Sequence, residues 1–443
     1  MVGDGKSQLM GIWMTSALVV GTIIGAGIFM LPVSLAPLGA NALIGWLMSG
    51  AGVLCIAFAL AQLSRLGGQG IQANIEREFG PTVGFLVAWA FWFSNWVAAA
   101  SVAVGASSAL SFIGAPFNGG TSVVPLAIAC VVVLTVVNAI GVRAAGGLSI
   151  VTVAIKVLPL LAVIWLFGER GAGGESLEKL APMPIGFASI ATATALTFFA
   201  LTGFESATAP VGKVRDPERT IPRALIGGTI FVVLLYMAAG TGIQLLLPAD
   251  VVVDSPAPFA DALVSRWGHG VASFAALAIA ISAFGCLNGL ILATGELGYS
   301  MALRGDLPAI MSRTRGINTP VISQLVAAVL ITLLLLANSS RSTANLYTFI
   351  ILLSTAGIIV LYFVGALAAW KSNPAAGARG IVVGALLFSA FAAYGTGLEA
   401  CLWCLALLAT GLAIRTVMRR LNSRGGSIPA LEAIPAAPPG SSA

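Results

Sequence analysis

Long apolar runs broken by short polar links dominate this chain. A helix needs about 20 mostly apolar residues to cross a bilayer. About twelve segments meet that pattern: 10–36, 41–65, 83–113, 122–142, 147–167, 188–211, 223–247, 271–303, 318–337, 345–370, 380–398 and 400–420. The pattern predicts an all-α polytopic membrane protein. Residues 1–9 form a short polar lead. Residues 422–443, rich in Gly, Ser, Pro and Ala, read as a disordered tail. The first apolar run follows only Lys6 and has no polar, small-residue cleavage site behind it, so it reads as a retained span.

Composition strengthens this picture. Of 443 residues, 58% are hydrophobic and 9% charged, and the mean hydropathy is +1.00. Soluble domains carry about 25% charged residues, so only lipid can cover this much apolar surface. The net charge of +6 is too thinly spread for a nucleic-acid groove. Its distribution gives a better account. With both termini inside, seventeen Lys and Arg fall on the cytoplasmic side and four (Arg170, Lys179, Arg266 and Arg341) outside. That asymmetry is the positive-inside signature, with both termini cytoplasmic, and the expected location is a cell's inner membrane. The five cysteines lie in apolar runs, so Cys401 and Cys404 read as packing residues, not a redox pair. His269, the only histidine, reads as solvated in an outer loop. No metal-ligand cluster, nucleophile–histidine pair or Walker loop occurs, so the sequence indicates no metal, no cofactor and no enzyme.

Two spans are interrupted. The first holds Gly21, Gly25 and Gly27, followed by Pro32. A small-residue packing seam and an opened helix both fit that motif. The sixth span favours opening, because it carries Thr202, Gly203, Glu205 and Ser206 near its middle. A carboxylate at mid-bilayer costs about 2.5–3.5 kcal/mol on insertion scales, which makes Glu205 a functional candidate. A structural bond to freed backbone N–H groups is the other reading. The breaks stand five spans apart, as expected of corresponding positions in two inverted halves. Freed N–H groups attract a carboxylate and freed carbonyls a cation, so a zwitterion suits the gap.

These residues resemble the amino acid–polyamine–organocation superfamily of transporters. The resemblance runs from about Leu9 to Met418 and rests on several motifs. They are the first-span glycines, Gly203-Phe204-Glu205-Ser206 running through Lys213 to Arg223, and Asn288-Gly289 through Pro308 to Asn318-Thr319-Pro320. The Ser255–Asp261 loop looks like the basic amino acid/polyamine antiporter branch, with arginine/agmatine exchangers as its model. The resemblance implies a five-plus-five inverted repeat, 10–167 and 188–370, with two extra helices at 380–420. It implies a substrate carboxylate at Ile23, Gly25, Ala26 and Gly27, and an amino group at carbonyls around Phe199, Ala200, Thr202 and Gly203. Phe199 matches the gating aromatic, and Glu205 a proton-sensitive glutamate. In the third span Ala99 replaces an expected asparagine, with Asn95 one turn away. Leu290 or Ile291 replaces an expected tryptophan, and Gly67–Asn74 replaces a tyrosine-rich motif.

Lys156 lies about ten residues into the fifth span. Snorkelling to the interface is one reading. By the resemblance, it occupies the place of sodium in sodium-coupled relatives and couples transport to protons. The expected function is amino acid/amine antiport by alternating access. Proton-coupled, sodium-independent symport is the alternative, and a channel a further one. Expected partners are an amino acid or amine, the lipid bilayer, protons and a second copy of the chain.

Overall fold

The computed structural model describes residues 11–64, 71–114, 123–140, 148–174, 177–204, 214–314, 319–372 and 376–424. Within them the chain is helical nearly throughout, in the order α1 (Ile12–Ile23), α2 (Gly27–Leu35), α3 (Asn41–Ser64), α4 (Ile71–Phe79), α5 (Pro81–Ile113), α6 (Val124–Ile140), α7 (Leu148–Ala172), α8 (Phe187–Leu201), α9 (Pro217–Leu246), α10 (Ala249–Asp254), α11 (Pro258–Leu303), α12 (Val321–Ala337), α13 (Thr343–Lys371), α14 (Ala376–Gly395) and α15 (Gly397–Arg424). Hydrocarbon offers the backbone no hydrogen bonds, so an apolar run must satisfy its own N–H and C=O groups as helix. Prolines open α5, α9 and α11 at their first positions, where no intrahelical donor is needed.

Among the described residues, seven helices (α3, α5, α9, α11, α13, α14 and α15) are long and apolar enough to cross a membrane. The α1/α2 pair makes an eighth, bent by 49° at its break. Three more, α6, α8 and α12, are apolar but shorter. The protein is therefore an all-helical, multi-pass membrane protein. α5 is the central post. It packs along α11 and α13 and also touches α6, α12 and α15. α1 lies on α9, and α8 lies on α3.

Polar side chains tie these helices where side-chain hydrogen bonds have no water to compete with. Ser94 donates to the Ser354 carbonyl at 2.8 Å, and Ser354 returns the bond to the Ser94 carbonyl at 3.0 Å, joining α5 to α13. Trp92 Nε1 donates to the Thr294 carbonyl at 3.1 Å, joining α5 to α11.

Several boundaries differ from the sequence reading. The eighth span starts earlier. Helix begins at Pro258, and Gly268, at φ 75°, kinks it. His269 and Arg266 thus sit on helix next to the kink, not in a loop, and both are exposed. The pattern missed this because Asp261, Ser265, Arg266 and His269 make that segment look like a linker. α15 runs to Arg424, past the expected start of the tail. The Ser255–Asp261 loop is a helix start: Ser255 donates to the Asp261 carboxylate and accepts from the Ala257 N–H. Phe259 within it meets Phe29 of α2 edge-on at 5.3 Å.

Ion pairs tie several of the cations to neighbouring helices. Arg304 meets Glu76, Lys371 and Arg77 share Glu78, and Arg415 and Arg419 share Asp306. Arg266 pairs with Glu169, and Arg341 with Glu399.

Candidate functional site

The first break is a real interruption. α1 ends at Ile23, and Ile24 leaves the helical region with ψ 84°. α2 restarts at Gly27. The last C=O groups of α1 and the first N–H groups of α2 therefore have no partner within a helix. Two buried tyrosines hold the gap. Tyr236 of α9 donates to the Ile23 carbonyl at 3.2 Å. Tyr347 of α13 donates to the Gly27 carbonyl at 2.6 Å.

The second break begins where α8 stops at Leu201. Thr202 turns extended at ψ 162°, and Gly203 takes φ 107°, a conformation that side chains rarely tolerate. Thr202 satisfies the helix end itself, donating through N–H (3.2 Å) and Oγ1 (2.7 Å) to the Phe199 carbonyl. Glu205 and Lys213 lie outside the described residues, as does the first half, 67–70, of the Gly67–Asn74 motif.

Both breaks line one cavity of about 310 Å³. α1 and α2 contribute the run from Gly21 to Gly27, and α8 contributes Phe199, Ala200, Thr202 and Gly203. Phe199 leans on the restart of α2: a β-carbon on Gly27 would be 3.0 Å from its Cε1. α5 presents Phe91, Ser94, Asn95, Ala98 and Val102. α11 adds Gly285, Cys286, Gly289, Leu290 and Ala293, and α13 adds Ser354 and Ile358. Lys156 of α7 completes the wall and is the only charged residue among the described lining.

The structure therefore gathers nearly every described site residue expected from the sequence into one place, with one exception. Ala99 does not line the cavity and is fully buried. The facing stripe of α5 runs 91, 95, 98, 102, and at 3.6 residues per turn Ala99 lies roughly 80° round the helix from its centre. Asn95 is on the stripe, though its Nδ2 donates to the Phe91 carbonyl at 2.7 Å. On α11, Leu290 faces the cavity and Ile291 does not.

The sequence reading also missed Thr22, Ser94, Cys286 and Ser354. Mid-span hydroxyls and a cysteine beside glycines were the available signals. Lys156 points its wall toward the cavity, half-buried, with no ion-pair partner among the described residues. No group of three His, Cys, Asp or Glu that could hold a metal occurs among the described residues.

The arrangement can bind a small zwitterion. N–H groups at the start of α2 suit a carboxylate, carbonyls at the end of α8 suit an ammonium, and an aromatic ring lies against the first of these. A family model described as amino acid permease matches residues 10–412. A cadaverine/lysine antiporter of Escherichia coli (strain K12) is 28% identical over 349 residues, covering 77% of this chain and 77% of that protein. The putrescine transporter PotE of the same strain is 27% identical over 420 residues, covering 91% and 94%.

Proposed function

The chain belongs to the amino acid permease family, and on that premise we propose that it is a secondary antiporter exchanging an amino acid for a related amino acid or amine by alternating access. The observation that carries this reading is the single cavity onto which both helix breaks open. Its volume is at the lower end of the range for small-molecule pockets. The relatives' names supply the exchange and the class, basic amino acids and diamines. Lys156 narrows the choice, because a substrate carboxylate offsets its charge while a diamine adds to it. At least one member of the exchanged pair is therefore an amino acid.

In this account the substrate carboxylate meets Ile23 to Gly27, the ammonium meets carbonyls around Phe199 to Thr202, and Phe199 closes over the ligand. The wider frame follows the same reading: twelve crossings, two inverted repeats at 10–167 and 188–370, extra helices at 380–420, and both termini in the cytoplasm of a cell whose inner membrane holds the protein. A second reading, proton-coupled symport, is favoured by the lysine in the cavity wall, which supplies a positive charge there without any metal ion. Purified protein in liposomes separates a carrier from a channel. A carrier shows saturable flux accelerated by substrate on the far side. Flux with neither property would replace this reading with a pore.

A further inference from the structure

A second cavity, of about 370 Å³, shares no residue with the first. It opens between the N-terminal end of α5, at Thr82, and the C-terminal half of α15, which brings Leu412, Arg415, Arg419 and Arg420. Arg415 is only 4% exposed. Its Nε donates to Asp306 at 2.8 Å, another nitrogen donates to the Pro81 carbonyl at 2.8 Å, and its guanidinium lies 5.0 Å over the Phe85 ring. Arg419 reaches the same Asp306 oxygen at 3.2 Å. Arg420 is exposed and has no ion-pair partner among the described residues. Two guanidinium groups thus share one carboxylate and a third, without an ion pair, lines the same groove, so positive charge is in surplus there.

The other donors fit an oxyanion. α5 starts at Pro81, so the N–H groups of Thr82 and Val83 in its first turn have no intrahelical acceptor. The Thr416 and Ser423 hydroxyls already donate to the Leu412 and Arg420 carbonyls, so the anion's donors are the arginines and Thr82. Guanidinium forks match the paired oxygens of a phosphate.

The surroundings identify the source of that phosphate. α15 is peripheral, with 17% of its apolar window buried. Leu412 in the groove, and Val417 and Leu421 round the far flank of α15, are 40%, 50% and 55% exposed. A soluble phosphate has no use for such a flank, whereas acyl chains do. We propose that this groove binds the headgroup phosphate of an anionic phospholipid, whose chains lie along the outer face of α15. Basic grooves between helices at a membrane surface are the general form of such sites.

The test is native mass spectrometry of the full chain in detergent, titrated with phosphatidylglycerol, phosphatidylcholine or inorganic phosphate. Phosphatidylglycerol is expected to bind about tenfold more tightly than phosphatidylcholine, and R419Q/R420Q to remove that preference, at about 1 kcal/mol per basic residue near a membrane surface. Should the double variant fail to run as a single species, R420Q alone carries the test with a smaller loss, since Arg420 is exposed and unpaired. Equal binding of the two lipids, or an unchanged preference in either variant, overturns the proposal. Displacement of phosphatidylglycerol by millimolar inorganic phosphate also overturns it, by assigning the groove to a soluble anion.

Discussion

Gly203 and Thr22 bring the two helix breaks into backbone contact: a β-carbon on Gly203 would lie 2.7 Å from the Thr22 carbonyl oxygen. Gly203 also holds φ 107°. Any side chain here meets both a collision and a conformational penalty of about 1–2 kcal/mol. Gly203→Ala is expected to lower exchange by about tenfold or more, since 1.4 kcal/mol is a factor of ten. Counterflow normalised to membrane abundance measures this, and wild-type exchange would show that the contact is not needed.

Tyr347 and the Gly27 carbonyl form the second tie, at 2.6 Å. Tyr347→Phe keeps the ring and removes the side-chain donor from a buried carbonyl that keeps its place in the helix, a net loss of about 0.5–1.5 kcal/mol. Because Gly27 begins α2, the loss falls on the geometry of the carboxylate cradle. Apparent substrate affinity in a binding titration is expected to drop about 2- to 10-fold, with normal yield of folded protein. A fall in yield alone would mark the bond as structural.

Much of this site could be read from residue types. Three glycines within seven residues and a following proline marked the first break, because helices in lipid open only where protein or water receives the backbone. Gly203 beside Thr202 marked the second. What could not be read was rotation. Ala99 and Asn95 are one turn apart and equally plausible from spacing, and only the packing of α5 against α11 and α13 chooses the stripe that faces the cavity. The kink at Gly268 was hidden for a different reason. Polar residues on a short amphipathic helix look like a loop when the sequence is searched for long apolar runs. The Ser255–Asp261 motif was visible as a family mark, but its role as a helix start pressed against α2 needed coordinates.

Cys286 lines the cavity beside the first break, where a β-carbon on Gly25 would be 3.4 Å from its sulfur. A small methanethiosulfonate reagent is expected to modify it and block exchange, and saturating substrate to slow that modification. Cys286→Ala should abolish the inhibition, which separates this thiol from Cys55 and Cys401, which are also partly accessible. Inhibition that persists in Cys286→Ala would place the sensitive thiol elsewhere.

Lys156 is the charged residue of the described cavity wall. Lys156→Met keeps the length of the side chain and removes its charge. Exchange is expected to fall at least about tenfold, the effect of losing about 1.4 kcal/mol of interaction. An unchanged rate and an unchanged pH profile would rule out any part for the ammonium in coupling or in balancing the substrate's charge.

Exchange itself is the central claim, and counterflow tests it most directly. Liposomes holding the purified protein are loaded with a basic amino acid, a diamine or buffer alone, with and without a pH gradient, and uptake of labelled amino acid is followed. The account predicts uptake only into vesicles loaded with substrate. Uptake into buffer-loaded vesicles driven by the pH gradient alone would contradict it and establish proton symport.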